Sequence, residues 1–293
     1  MTDPFEHSAS PIELIGHIEA TCERVTTPCG DGSMVWRLFG EGSRQLVLFH
    51  GGSGSWWHWI RCIEPLQSLG YRLLIADLPG LGDSDDAPPN YNPSIIGGVL
   101  ADGVRELCSS TGPPHIAGFS FGGITGGHAA AQLGSFARSM TIIGSAGMGL
   151  TRPPMAELRR WRRLPTEEEQ REAHRFNLKA LMLAHDESID DLALHIQHHN
   201  TLKARTISGD ASRGDTLTPV LPNLKCPLAG IYGEFDATAQ GFLDQRHAYF
   251  ESVQPGSKVH IIDNSGHWVM YEAVDAFVCT LDQILAGVEN NSR

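Results

Sequence analysis

The segment Gly118–Gly122 reads Gly-Phe-Ser-Phe-Gly and lies between a short apolar run and a helix-like stretch. The preceding residues His115–Ala117 predict a strand, and the small residues that follow predict the start of a packed helix. A serine at a sharp strand-to-helix turn has a strained backbone, so its neighbours must be small, and the two flanking glycines meet that condition. We therefore expect the Ser120 hydroxyl to project from the end of a sheet, beside unpaired N–H groups at a helix start.

A serine hydroxyl becomes a nucleophile only when a base removes its proton and another group orients that base. Two later positions supply these groups, because Asp236 and His267 each follow a short apolar run that predicts a strand. We predict that Ser120 is the nucleophile, that His267 is the general base and then the general acid, and that Asp236 is the orienting carboxylate. Glu234, two residues before Asp236, is the alternative acid.

A glycine-rich turn follows the apolar run Gln45–Phe49. Such a turn lets the backbone approach a substrate oxygen closely, and the N–H of Gly52 would then pair with that of Phe121 to form an oxyanion hole. Gly51 and Ser53, which flank Gly52, are predicted to contact the substrate.

The rest of the chain alternates strand-like and helix-like segments, which predicts an α/β fold with a mostly parallel sheet and helices on both faces. Two early strands near 17–27 and 33–39 are expected to form a hairpin. Strands are also expected near 45–49, 71–77, 114–119, 137–143, 227–232 and 257–262, and helices near 57–68, 94–110, 122–133, 238–252 and 269–286.

The alternation breaks between about Gly147 and Leu221, where the sequence becomes charged and helix-like. We predict a helical lid at 147–221, inserted into a core made of residues 1–146 and 222–293. Thr166 with Glu169 forms a capping-box pattern. The basic run Arg159–Arg163, flanked by glutamates, predicts a solvated helix face with ion pairs.

Taken together, these segments resemble the α/β-hydrolases over roughly residues 30–286, with an eight-stranded sheet implied. Within that superfamily the chain is most similar to the meta-cleavage product hydrolases, which cut a carbon–carbon bond in dienoates formed by ring opening of catechols. The segment His267–Glu272 is similar to their histidine segment and implies that Trp268 borders the substrate. Arg205 lies roughly where their lid carries an arginine that binds the substrate carboxylate.

The chain also departs from that family. Phe119 stands before the nucleophile where these enzymes usually have a polar residue, and Ser53–Ser55 stands where they usually have Gly-Pro-Gly. These departures leave a carboxylic ester hydrolase, such as an esterase or lactonase, as an alternative, and a ligand-binding receptor on the same scaffold as another. An arginine on a lid is commonly a solvated surface charge, so that role stays open for Arg205, and simple core packing stays open for Trp268.

The net charge of −12 opposes approach to nucleic acid or to an anionic membrane. No run approaches the roughly 18 apolar residues that span a bilayer. Residues 1–7 lack the features of a secretion signal, and the six cysteines form no C-x-x-C pair. We therefore expect a cytoplasmic protein that acts on a small molecule.

No metal or cofactor is expected for this chemistry. His195 and His199 are one helical turn apart and His198 lies beside them, but no carboxylate or cysteine cluster accompanies them. The resemblance leaves a homodimer open.

Overall fold

The computed structural model describes residues 10–207 and 214–291 of the chain. Its centre is an eight-stranded sheet with the spatial order β1-β2-β4-β3-β5-β6-β7-β8. The strands are β1 Glu23–Cys29, β2 Gly32–Phe39, β3 Arg44–Phe49, β4 Tyr71–Ala76, β5 His115–Phe119, β6 Ser139–Ile143, β7 Leu228–Gly233 and β8 Val259–Ile262. β2 pairs antiparallel with β1 and with β4, and the other pairs are parallel. The predicted fold class is confirmed.

Helices lie before, between and after the strands. They are α1 Pro11–Glu19, α2 Ile63–Ser68, α3 Pro93–Cys108, α4 Phe121–Leu133, α5 Glu167–Asn177, α6 Asp191–Lys203, α7 Leu243–Val253, α8 Val269–Glu272 and α9 Val274–Asn291, with a 3₁₀ helix at Trp56–Cys62. Within the described ranges, none of the helices is long and apolar enough to cross a bilayer.

The strand expected from residue 17 begins only at Glu23, and the prediction for 17–22 is wrong. Those residues belong to the end of α1 and the turn after it. α1 is stabilised at its start by a reciprocal capping box between Ser10 and Glu13, with Pro11 in its first turn. These start signals favour a helix over an extended chain.

Two clusters of buried apolar side chains cover the two faces of the sheet. Along β3, Leu46 and Leu48 belong to one cluster, whereas Val47 and Phe49 belong to the other. Successive side chains of a strand point to opposite faces. The continuous apolar character of this strand is therefore the consequence of burial on both sides.

The segment between β6 and β7, residues 144–227, interrupts the alternation of strands and helices. We call it the insertion. Its residues 144–166 contain no helix, so the helix face expected at 159–163 is wrong. α5 starts with the capping box that the sequence predicts at Thr166 and Glu169. The lid boundaries 147–221 stay a prediction, and residues 208–213 lie outside the described part.

The insertion is tied to the core close to the end of β8. Trp268 donates its backbone N–H to the carbonyl oxygen of Met182 at 2.7 Å. The Glu272 carboxylate accepts hydrogen bonds from the backbone N–H groups of Ala184, His185 and Gly266, at 3.0, 2.9 and 2.7 Å. These bonds hold one side of the insertion above the carboxyl ends of the strands.

Candidate active site

Ser120 occupies the single position between β5 and α4, with φ of 51° and ψ of −115°. Its N–H donates to Ile143 of the neighbouring β6 at 2.8 Å, which holds the strained turn in place. A Cβ at Gly118 would lie 2.2 Å from the Gly122 oxygen, and a Cβ at Gly122 would lie 2.3 Å from the Phe49 oxygen. Larger residues on either side would therefore break the turn.

Asp236 and His267 meet at the ends of β7 and β8. His267 Nδ1 lies 2.9 Å from Asp236 Oδ1 and 3.0 Å from Oδ2. Thr238 donates both its N–H and its hydroxyl to Oδ1 at 2.8 Å. The carboxylate is fully buried, and these donors compensate for its lost hydration. The pair fixes the imidazole so that Nε2 is left for another partner.

Ser120 and His267 both line a cavity of about 740 Å³ beneath the insertion. The ring centroids of His267 and Phe119 are 4.9 Å apart, so the residue before the serine packs against the imidazole. In this structure, the hydrogen bonds of the described residues do not include one between Ser120 Oγ and His267. Such bonds are often long before a substrate is bound.

The loop after β3 passes directly beside the serine, since a Cβ at Gly51 would lie 3.3 Å from Ser120 Cβ. Gly52, Ser53 and Phe121 line the same cavity. Phe121 is the first residue of α4, where N–H groups have no acceptor inside the helix. The predicted oxyanion residues are thus brought close to Ser120.

Two histidines that the sequence analysis did not assign hold this loop. His50 Nδ1 donates to the Gly51 oxygen at 2.8 Å, and its Nε2 accepts from the Leu78 N–H at 2.9 Å. His58 Nδ1 accepts the Gly51 N–H at 3.2 Å, and His58 lines the cavity. A usable signal for His58 is its place within the aromatic run 56–59, directly after the glycine-rich turn.

Arg205 is not among the cavity-lining residues of the described chain. Its Nε lies 2.5 Å from Asp86 Oδ1, and its guanidinium also donates to the carbonyl oxygens of Lys203 and Ser84. Arg205, which was predicted to bind the substrate carboxylate, thus forms an ion pair between the insertion and the loop after β4. Glu234, the alternative acid, accepts the Asn264 N–H at 2.9 Å.

Trp268 is completely buried. Its Nε1 donates to the His58 carbonyl oxygen at 2.8 Å, and its ring stacks on Tyr271 with centroids 4.2 Å apart. Within the described residues it is not part of the cavity wall. The structure therefore places Trp268 behind His58 rather than against the substrate space.

The irregular first part of the insertion supplies charged groups to the cavity wall, and two of them belong to the run 159–163 that the sequence analysis assigned to a solvated helix face. The charged side chains that line the cavity there are Arg152, Glu157, Arg159 and Arg160. The Arg159 guanidinium lies 4.0 Å from the centre of the Phe176 ring. Within the described chain, the exposed side chain of Arg160 forms no hydrogen bond or ion pair.

The histidines of α6 pack against aromatic rings. Trp57 stacks with His195 and lies 4.4 Å, centroid to centroid, from His199. His198 Nδ1 lies 3.1 Å from Nε2 of His174, whose burial lowers its pKa to about 4. Among the residues that the structure describes, no group of three or more metal-binding side chains is found.

Comparisons with known proteins identify the family. The sequence profile of the Alpha/beta hydrolase family matches residues 46–278. The 2-hydroxy-6-oxononadienedioate/2-hydroxy-6-oxononatrienedioate hydrolase of Escherichia coli (strain K12) is 26% identical over 259 residues, which cover 81% of this chain and 85% of that protein.

Structures of other proteins show the same fold. A serine hydrolase involved in carbazole degradation has a TM-score of 0.69 at 20% identity, covering 90% of this chain and 99% of the other. The carboxylesterase CesB from Bacillus subtilis has a TM-score of 0.71 at 16% identity, covering 94% and 96%.

Proposed function

Because the chain belongs to the alpha/beta hydrolase family, we propose that it is a cofactor-free serine hydrolase that cleaves a carbon–carbon bond in a meta-cleavage-type dienoate or a related small carbonyl substrate. The observation that carries the serine mechanism is the buried Asp236–His267 pair, which shares a cavity with Ser120. The carbon–carbon assignment is supported by the Escherichia coli relative, whose name gives a dienedioate as its substrate.

The proposed reaction begins when His267 accepts the proton of Ser120 Oγ, which bonds to the substrate carbonyl carbon. The carbonyl oxygen becomes an anion that the N–H groups of Gly52 and Phe121 stabilise. The scissile bond then breaks, and His267 returns the proton to the leaving group. Water, deprotonated by His267, releases the acyl group from Ser120 and restores the enzyme.

A dienoate requires one earlier step. Its hydroxyl loses a proton and the carbon beside the existing keto group gains one, so that the hydroxyl carbon becomes a ketone that is conjugated, through a C=C bond, to the carbon that will leave. The leaving carbon can then depart as an enolate, which takes the proton from His267. In this assignment His267 carries the protons, and no oxidant or metal is needed for the balance.

We assign the recognition of an anionic substrate group to the arginines of the cavity wall rather than to Arg205. Arg160 is the leading candidate, because this residue lines the cavity and its guanidinium has no hydrogen-bond or ion-pair partner within the described chain. Guanidinium groups bind carboxylates through paired hydrogen bonds. Arg205 is already engaged with Asp86.

An ester hydrolase is the second candidate. It is favoured by the position of Arg205 outside the cavity and by Phe119, an apolar residue that packs on His267. The serine, the base and the oxyanion groups would serve an ester in the same roles. Trp268, buried behind His58, supports neither substrate over the other.

Stopped-flow absorbance tests the proposal. The purified protein is mixed with a yellow ring-cleavage dienoate and, separately, with a short-chain p-nitrophenyl ester, with the Ser120→Ala variant as the control for both. Fast bleaching of the dienoate with slow release of p-nitrophenol is the expected result. Fast ester cleavage with an unchanged dienoate would make the ester the substrate, and no reaction with either would favour the ligand-binding alternative.

A further inference from the structure

His58 lies on the 3₁₀ helix Trp56–Cys62, directly behind the loop that carries Gly51 and Gly52. The side chain is 3% exposed. Its ring centroid lies 5.1 Å from that of Trp268 and 5.6 Å from that of Phe119, which it meets edge to face. The two aromatic rings therefore fix the orientation of the imidazole beside the cavity.

The hydrogen bond from the Gly51 N–H determines which nitrogen of His58 carries the proton. Because Nδ1 accepts that bond at 3.2 Å, it has no proton, and the neutral ring carries its proton on Nε2. Burial lowers the pKa of His58 well below its ordinary value, and the nearby His50 and His267 lower it further. The ring is therefore neutral at physiological pH and presents Nε2 as a donor.

The Nε2 group of His58 has no hydrogen-bond partner within the described chain. This nitrogen is not fully enclosed by the surrounding protein atoms, unlike the buried side-chain nitrogens of the described residues that lack a partner. Nε2 therefore retains some accessible surface, and the cavity that His58 lines is the one that contains Ser120. His50 differs, because both of its ring nitrogens are bonded to the backbone.

We propose that His58 binds a substrate oxygen as a neutral hydrogen-bond donor through Nε2, while its Nδ1 holds the Gly51–Gly52 turn in place. The proposal rests on the hydrolase function proposed above. The substrate would thus carry an acceptor oxygen, such as a keto, enolate or ester oxygen, within reach of the wall behind the oxyanion loop.

A neutral imidazole donates without giving up its proton, and its hydrogen bond strengthens as negative charge develops on the acceptor oxygen. His58 would accordingly stabilise charge while His267 carries out every proton transfer. An apolar ring of similar size would fill the space between Phe119 and Trp268 equally well. The experiment must therefore distinguish hydrogen bonding by the His58 ring from its packing.

Two substitutions separate the two nitrogens. His58→Asn keeps an acceptor near the Nδ1 position for the Gly51 N–H but removes the donor from the cavity. His58→Gln keeps a donor near the Nε2 position. His247→Asn and His247→Gln, on the exposed side of α7, are the matched controls.

The expected result for His58→Asn is a melting temperature close to that of the wild type and a kcat/KM about 10- to 100-fold lower, as for other donors to a developing negative charge. His58→Gln should regain part of that loss. A purely structural role would instead lower the melting temperature without this recovery. Activity of His58→Asn within about threefold of wild type, beside an inactive Ser120→Ala, would overturn the proposal for His58 alone. A fully active Ser120→Ala would overturn the hydrolase function itself.

Nuclear magnetic resonance of ¹⁵N-histidine-labelled protein tests the donor without a substitution at His58. The His58 signals are expected to show the Nε2–H form at pH 7 in the free protein. Phenylboronic acid, which adds to an active serine, should shift the Hε2 signal downfield in the wild type but not in Ser120→Ala. An Nδ1–H form, or an unchanged Hε2 signal with boronate bound to Ser120, contradicts the proposal.

Discussion

His267 Nδ1 lies 2.9 Å from Asp236 Oδ1, although 31 positions separate the two residues in the chain. The carboxylate has no exposed surface, and it receives two further hydrogen bonds from Thr238. A buried, fully bonded carboxylate holds the imidazole in one orientation. The first prediction follows from this contact.

Asp236→Asn should lower kcat by about 10⁴-fold, because the amide can place its N–H group against Nδ1 and favour the wrong form of the imidazole. Glu234→Gln is the control, since Glu234 contacts the Asn264 backbone instead, and it should remain within about threefold of wild type. Steady-state kinetics on the best substrate measure both. A larger loss in Glu234→Gln than in Asp236→Asn would transfer the role to Glu234.

Ser120→Ala should reduce turnover by about 10⁴-fold or more, because it removes the proposed nucleophile itself. The fold should survive, since alanine is no larger than serine and meets the same strain at φ of 51°. Turnover and melting temperature are measured for Ser120→Ala and for the control Ser252→Ala, which lies on the exposed side of α7. Retained turnover with an unchanged melt would end the serine mechanism.

Gly144 supports the pair from the end of β6. A Cβ there would lie 3.0 Å from Asp236 Oδ2 and 3.1 Å from His267 Nδ1. Gly144→Ala should therefore displace the pair and reduce kcat about tenfold or more. Gly134→Ala is the matched control, because Gly134 has a similar φ of +61° but no neighbour within 4 Å of its Cβ.

Both glycine variants carry the strain of a side chain at positive φ, at a cost of about 1 kcal/mol. Their melting temperatures should fall by similar amounts, whereas only Gly144→Ala should lose activity. Equal activity in the two variants would mean that the pair tolerates the added methyl group.

Arg160→Gln should weaken a substrate that carries a carboxylate, with a loss of about tenfold or more in kcat/KM and little change on a neutral ester. Arg205→Gln should affect the two substrates equally, because Arg205 pairs with Asp86 away from the cavity. Paired kinetics on a neutral p-nitrophenyl ester and on one with a terminal carboxylate compare the variants. Selective loss of the anionic substrate in Arg205→Gln would contradict this assignment.

The burial of His115 leads us to expect that the stability of the protein depends on pH. Burial lowers its pKa from the ordinary value of 6.5 to about 4, against the opposing effect of Glu289. Between these values the unfolded chain binds more protons at this site than the folded protein. The free energy of unfolding should therefore fall as the pH decreases from about 6.5 to about 4, by at most about 1.4 kcal/mol per pH unit from this group.

Urea unfolding at pH 7.5, 6 and 5 measures the dependence. His115→Gln should show a shallower decrease than wild type, and His247→Gln, at an exposed position, should match wild type. His174, whose pKa is also about 4, should account for part of the remaining slope. An unchanged slope in His115→Gln would show that this histidine does not remain neutral in the folded protein.

The sequence by itself determined the alternating α/β architecture and the order of Ser120, Asp236 and His267. Each of these residues follows a short apolar run, and such runs predict strands from local pattern alone. Because the carboxyl ends of parallel strands share one edge of the sheet, side chains that follow different strands are brought together there. The two flanking glycines predicted the strained turn, because the need for small residues there is also a local property of the sequence.

Only the tertiary structure decided which other side chains reach the cavity. Arg205 and Arg160 are both arginines of the insertion, yet one pairs with Asp86 and the other lines the wall. The orientation of His58 depends on contacts with Gly51, Phe119 and Trp268, which come from separate segments of the chain. The direction of a side chain depends on what packs against it, and no local pattern records contacts between distant segments.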